Sequence, residues 1–223
     1  MYNESPSRQS GFTLVELAIV LVIIGLILAA VLKGQEMITN GKVKSVENDL
    51  RSVSAAYYAY QDRYKAIPGD DAAAASHAGA GAVSGNGDGL ITGLFNATAA
   101  PALATESNNF WQHTRMAGFL TGSATAAVAN PPTNSVGGIL GVQSGTTGGE
   151  VYGMTGNVVC TSNVPLKIAL SVDTQLDDGN SDTGTIRAGA AGVTATAAAV
   201  SGAYGPLVAL PASEGLHTVC MKI

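Results

Sequence analysis

Charge and aromatic surface are both scarce in this chain: 12% of its residues are charged and 5% are aromatic. With 11 Lys and Arg against 16 Asp and Glu, the net charge is -5, so it lacks the basic excess that coats nucleic acid. No specific nucleic acid is expected as a partner. The only two cysteines, Cys160 and Cys220, are too few for a four-ligand zinc site and too far apart for a CxxC redox pair. His77, His113 and His217 are scattered without metal-ligand spacing. No nucleophile motif and no phosphate loop with its lysine is present, so the chain is not expected to be an enzyme. Glycine numbers 28, and much of the 46% hydrophobic content is alanine in Ala/Thr/Ser tracts.

The large apolar residues are concentrated near the N-terminus. From Phe12 to Leu32 the chain runs 21 positions with Glu16 as the only charge. As a helix this segment is about 31 Å long, enough to span a bilayer. A short polar stretch with Arg8 as its only cation precedes it, and Lys33 follows. An ordinary secretory signal has a shorter apolar core and a small-residue cut on its far side, and Ala29-Ala30-Val31 is a poor match. A carboxylate inside a membrane helix costs on the order of 2.5 to 3.5 kcal/mol, so Glu16 calls for a partner and a function.

The run Gly11-Phe12-Thr13-Leu14-Val15-Glu16, followed at once by the apolar segment, resembles the leader of type IV prepilins and of type II secretion pseudopilins. The resemblance implies cleavage by prepilin peptidase after Gly11 and methylation of the new amino group of Phe12. It further implies pairing of Glu16 with the amine of a neighbouring subunit in a filament core. Partners would be identical or related pilin subunits, the peptidase, an inner-membrane assembly platform, and membrane lipid before assembly. The expected location is a single pass of the inner membrane with an extracytoplasmic head, then an extracellular pilus or a periplasmic pseudopilus. Two departures stand out: Lys33-Gly34 occupies the place where many type IV pilins carry proline, and the leader lacks the family's lysine pair.

Beyond Lys33, Val43, Val46, Leu50, Val53, Tyr57, Tyr60 and Tyr64 recur at spacings of three and four, a one-sided helical stripe. Lys42, Lys44, Glu47, Asp49, Arg51, Asp62 and Arg63 fall off the stripe, facing water or neighbours, with Glu47 and Arg51 as an i,i+4 pair. Pro68-Gly69 stops the helix near Lys65. The expected division is leader 1–11, long helix 12–66 with 12–32 in the membrane or filament core, and head 67–223. The fold class is α+β: a long N-terminal helix, transmembrane then amphipathic, packed on an antiparallel sheet.

In the head, 69–105 reads as loop. Within it Ser84-Gly85-Asn86-Gly87-Asp88-Gly89-Leu90-Ile91 resembles part of an EF-hand calcium loop, incomplete because Ser84 and Phe95 hold the first and closing positions. A second acidic run, 173–182, carries Asp173, Asp177, Asp178 and Asp182, enough carboxylates for a hard cation such as calcium; the alternative is a solvated turn. Calcium in an acidic loop near the end of the head is also what resemblance to the major pseudopilins implies. Residues 106–120 read as a short helix with Phe110, Trp111, Met116 and Phe119 toward the core. Strands are expected at 151–160, 166–172, 207–210 and 216–223, and an exposed low-complexity loop at 188–203. If the head is exported, Cys160 and Cys220 form one structural disulfide stabilising by about 4 kcal/mol; in a reducing compartment they are two buried thiols.

Three functions compete: a filament subunit of a type IV pilus, a pseudopilin of a type II secretion system, and a membrane-tethered binding protein or adhesin that does not polymerise. Glu16 separates the first two from the third, because a tether has no use for it.

Overall fold

A computed structural model of the chain describes residues 13–97, 105–125, 130–146, 151–190 and 215–223. Eight elements follow in order: α1 (Leu14–Tyr64), α2 (Ala74–His77), α3 (Glu106–Met116), β1 (Leu140–Gly145), β2 (Gly156–Pro165), α4 (Leu166–Leu176), β3 (Ile186–Ala190) and β4 (Leu216–Lys222). All strand pairs are antiparallel, in the order β1-β2-β4-β3. The chain divides into two compact units, one up to Gly41 and the other from Lys42 onward.

In the first unit the chain is helical from Leu14, and the large apolar side chains between Leu14 and Leu32 are exposed. In the second unit α1 buries Val43, Val46, Leu50, Val53, Tyr57 and Tyr60, the stripe expected from the spacing except for its last member, Tyr64, which is only partly buried at the helix end. Val43, Val46, Leu50, Val53 and Tyr57 join Val142 of β1, Val159 and Val164 of β2, Val219 of β4, and Ile168, Ala169 and Val172 of α4 in one apolar cluster. Tyr57 is tied to the sheet by its hydroxyl, which accepts a hydrogen bond from Asn157 Nδ2 at 3.0 Å. The helix ends where expected. Lys65 takes a left-handed backbone (φ 56°) and its amide donates to Gln61 at 2.8 Å, and Ile67 precedes Pro68.

Glu47 departs from the expectation. It is 4% exposed, and its partner is Lys44 at 2.9 Å rather than Arg51. Lys44 also donates to Gln175 at the end of α4 at 2.7 Å, so the second unit folds its own tertiary partner over this turn of α1.

The segment 166–172, expected as a strand, is the helix α4. Pro165 holds its N-cap position, and the buried Ile168, Ala169 and Val172 share one face at helical spacing, a period that seven residues are too few to separate from a strand. The strand expected at 151–160 begins instead at Gly156 and runs to Pro165; Val151 and Met154 form an isolated bridge across a turn in which Tyr152 (φ 48°) and Gly153 (φ 74°) are both left-handed. The strand at 216–223 and the helix opening at 106 are present as expected. The expected strand 207–210 lies outside the described residues. β1 and β3 were not anticipated, and Ala188, expected in an exposed loop, is fully buried in β3 opposite Val219. Small residues suit β3 for a packing reason: a Cβ on Gly189 would come within 2.2 Å of the Tyr152 ring.

Cys160 and Cys220 are direct partners across β2 and β4 and form a disulfide spanning 60 residues of sequence. Both are fully buried, beside Phe95, Tyr152, Met154 and Val158.

Leu50→Ala, which empties a fully buried position on α1, is expected to cost roughly 2 to 5 kcal/mol in urea unfolding, whereas Arg51→Ala on the exposed side should stay within about 0.5 kcal/mol.

Candidate assembly helix and acidic loops

The start of α1 combines a helix cap with a membrane-compatible surface. Thr13 and Glu16 form a reciprocal capping box. The Thr13 amide and hydroxyl both donate to Glu16 Oε2, at 2.8 and 2.9 Å, and the Glu16 amide donates back to Thr13 Oγ1 at 3.2 Å. From there α1 contains an 18-residue window of mean hydropathy 3.1, none of it buried. Leu14, Leu21, Leu26 and Leu32 are each about two-thirds exposed or more. An apolar surface of this extent marks a helix that lipid or protein covers. Glu16 is the carboxylate set into it, and its capping bonds place it within a turn of the chain's expected new amino end. Gly11 and Phe12, the expected processing positions, lie outside the described residues.

Two acidic clusters lie in the second unit. In the loop after α4, carboxylate oxygens of Asp173, Asp177 and Asp178 lie within 4.8 Å of one another. Asp173 is fully buried and accepts from the Gly179 amide at 3.3 Å. Asp177 Oδ2 accepts from the Thr185 and Ile186 amides at 2.5 and 2.8 Å, which fixes the loop to the start of β3. Asp178 accepts from the Thr183 hydroxyl and the Asn180 amide, and these bonds hold its carboxyl below the usual range. Asp182, the fourth expected ligand, stands outside this group; its amide donates to Asn180 Oδ1 at 3.2 Å.

The second cluster, Asp70, Asp88 and Glu106, gathers carboxylates from three separate stretches of chain. Asp70 Oδ1 accepts from the amides of Gly87 and Asp88 at 2.6 and 3.1 Å, and its Oδ2 from Gly89 at 2.7 Å. Glu106 accepts from the Asn86 amide at 3.0 Å and from the Thr92 amide and hydroxyl at 2.9 and 2.6 Å. The glycine-rich run 84–91 therefore folds around two buried acids. Its amides point at Asp70, so the local likeness to a cation loop, which uses oxygens, describes the sequence better than the geometry. Asp70 and Glu106 were missed in the sequence because they lie 14 or more positions from the run they organise; the one local signal was the Pro68-Gly69 turn just before Asp70. Burial first, and then the negative charge of Glu106, push the Asp70 carboxyl up against the pull of the three amides.

Next to it, Asp71 accepts from the Tyr60 hydroxyl and the His77 ring, both at 2.7 Å, and from the Ala73 amide at 2.8 Å. Burial pushes Asp71 up, but these bonds outweigh it and hold the carboxyl below its ordinary value. His113 is buried with both ring nitrogens engaged: Nδ1 accepts from the Gly69 amide and Nε2 lies 2.7 Å from the Val83 carbonyl, the pattern of a neutral ring protonated at Nε2. Burial holds its pKa below the usual histidine value. His217 lies on β4.

Because Asp71 is depressed in the folded chain, the stability it contributes is present above about pH 4 and is lost as pH falls toward its folded value. Asp71→Asn should therefore lower stability at pH 7 by about 1 to 3 kcal/mol, and the gap to the unsubstituted chain should narrow in thermal unfolding at pH 3.

Residues 6–32 match the family model described as the prokaryotic N-terminal methylation motif. No curated protein and no solved structure matches the chain. The matched segment contains Gly11, Phe12, the Thr13–Glu16 cap and the exposed apolar turns of α1. In that segment the chain carries the leader signature of type IV pilins and pseudopilins.

Proposed function

We propose that this protein is a structural subunit of a type IV pilus-like filament, cut by prepilin peptidase after Gly11, methylated at Phe12 and assembled through the apolar half of α1. The observation that carries this reading is Glu16: a carboxylate capping the very start of a helix whose next turns are apolar and exposed, inside the methylation motif. Cleavage creates a cationic amine at Phe12. In lipid the carboxylate is satisfied only locally, by Thr13; beside the amine of a neighbouring subunit it gains an opposite charge in a medium of low dielectric. Register follows, because one charge of each sign per subunit pairs at one axial offset. The chain then sits in the inner membrane with residues after the apolar turns outside the cytoplasm, held by the assembly platform, before it enters the filament. The buried disulfide supports that placement, since such bonds persist in oxidising compartments.

A second reading, a pseudopilin of a type II secretion system, draws on the loop after α4. Asp173, Asp177 and Asp178 offer the oxygen-only donor set of a hard cation, and we assign calcium to them. The ion would cross-link the end of α4 to the turn before β3 and stiffen that loop.

Glu16→Ala should leave membrane insertion intact and abolish recovery of the protein in sheared surface fibres; recovery at the unsubstituted level would leave a tethered, non-polymerising protein. Intact mass and N-terminal sequencing of the membrane fraction should give a chain starting at methylated Phe12. Adding calcium after chelation should raise the melting temperature of the unsubstituted chain but not that of Asp178→Asn.

A further inference from the structure

Segment 69–92 carries α2 and the glycine-rich run, and little apolar surface holds it to the rest of the second unit. Among the described residues from Gly69 to Leu90, Ala74 is the one fully buried hydrophobic side chain. Polar side chains of α3 hold the segment instead. Gln112 accepts from the Val83 amide at 2.9 Å and donates to the Gly81 carbonyl at 3.0 Å, and Glu106 takes the Asn86 and Thr92 amides. His113 spans the segment most widely, from Gly69 at its start to Val83. Gly69 lies tight against α3, where a Cβ would come within 2.5 Å of the Glu106 carbonyl oxygen.

We propose that His113 is a proton-operated latch: a second proton on its ring detaches segment 69–92 from α3 while the sheet stays folded. The geometry carries this. In the closed state Nδ1 accepts from the Gly69 amide at 2.9 Å and Nε2 donates to the Val83 carbonyl at 2.7 Å, so both bonds together require a neutral ring. A second proton goes on Nδ1. It sets two N–H groups against each other at Gly69 and places a charge on a fully buried side chain. The elements packed around the ring bring Tyr60 and Tyr64 of α1, Asp70, Asp71 and His77 of the segment, and Glu106 and Arg115 of α3 itself. Asp71 attracts the proton, but its carboxylate is already engaged by Tyr60, His77 and the Ala73 amide. Tyr60, stacked on the ring with centroids 6.0 Å apart, stays uncharged because burial pushes its hydroxyl up. Opening gives the imidazolium water. Burial holds the closed ring below the ordinary histidine value, so the open state binds the proton more readily. The opening equilibrium therefore rises by up to tenfold for each pH unit below about 6.5, until the closed ring itself titrates. Asp71, depressed in the closed chain, favours opening only near and below about pH 4, and Asp70, pushed up, opposes opening as pH falls.

The test is hydrogen–deuterium exchange mass spectrometry of the full chain in lipid nanodiscs at pH values from about 7.5 to 4.5, corrected for intrinsic exchange. Amides of 69–92 are expected to lose about tenfold or more of their protection across that range, while those of 43–60 and of β4 change by less than about threefold. Exchange of the imidazole C2 proton gives the titration of His113 itself in the same chain, and its midpoint should coincide with the loss of protection. His113→Gln, which keeps a donor and an acceptor but takes no proton, should flatten the profile; His77→Ala should leave the transition in place. Protection of 69–92 that does not fall overturns the proposal, as does parallel loss in β4, a transition that persists in His113→Gln or vanishes in His77→Ala, or a His113 midpoint apart from it. The C2 titration keeps the test decisive should His113→Gln fail to fold. None of these readouts depends on filament assembly.

Discussion

The second unit depends on one seam: the row from Val43 to Tyr57 on α1, buried against β1, β2, β4 and α4. Every other part of this unit is short, and β3 is built largely of residues too small to bury much apolar surface. Leu50, Val46 and Val53 are almost completely removed from water, and at about 25 cal/mol per Å² such residues dominate the favourable side of folding. The disulfide adds a covalent clamp in a second apolar cluster, joining β2 to a β4 that arrives from 60 residues away. It restricts the unfolded chain, while the seam stabilises the folded one.

Glycine-rich and alanine-rich stretches have little apolar area with which to hold a shape. Here they are held by carboxylates, those of Asp70 and Glu106 buried and that of Asp177 partly so. Asp70 collects the amides of residues 87 to 89, Glu106 those of Asn86 and Thr92, and Asp177 those of Thr185 and Ile186. Each is a charge-assisted bond inside a partly dry environment, stronger than a neutral amide pair. The same device explains why glycine is required at particular points. A Cβ on Gly85 would meet the Asp70 backbone at 2.4 Å, and one on Gly184 would meet the Asp177 carboxylate at 2.0 Å. The loops approach their acids too closely for a side chain.

At the other end of α1 the logic is reversed. Among the described residues the large apolar side chains from Leu14 to Leu32 are exposed in the first unit, a surface that lipid or other chains can cover. Glu16 is the one polar feature there, and its bonds to Thr13 are local and exchangeable. A helix that is complete in its hydrogen bonding yet unsatisfied in its surface is suited to change environment without unfolding.

The sequence by itself determined the processing motif, the apolar span, the amphipathic stripe and the stop before Pro68, because each is written in local periodicity or in adjacent residues and needs no distant partner. It also made β4 and the helix opening at Glu106 legible, since both carry compact apolar patterns. Tertiary structure alone decided the rest. Segment 166–172 is a helix whose one face, Ile168, Ala169 and Val172, completes the core. Ala188 and Gly189 became a strand because β4 offered backbone partners and Tyr152 needed the space. Glu47 was buried because Lys44 and the end of α4 closed over that turn. Asp70 met Glu106 through a fold of the chain between them. In each case the deciding energy comes from a contact between residues far apart in sequence, which local pattern does not contain.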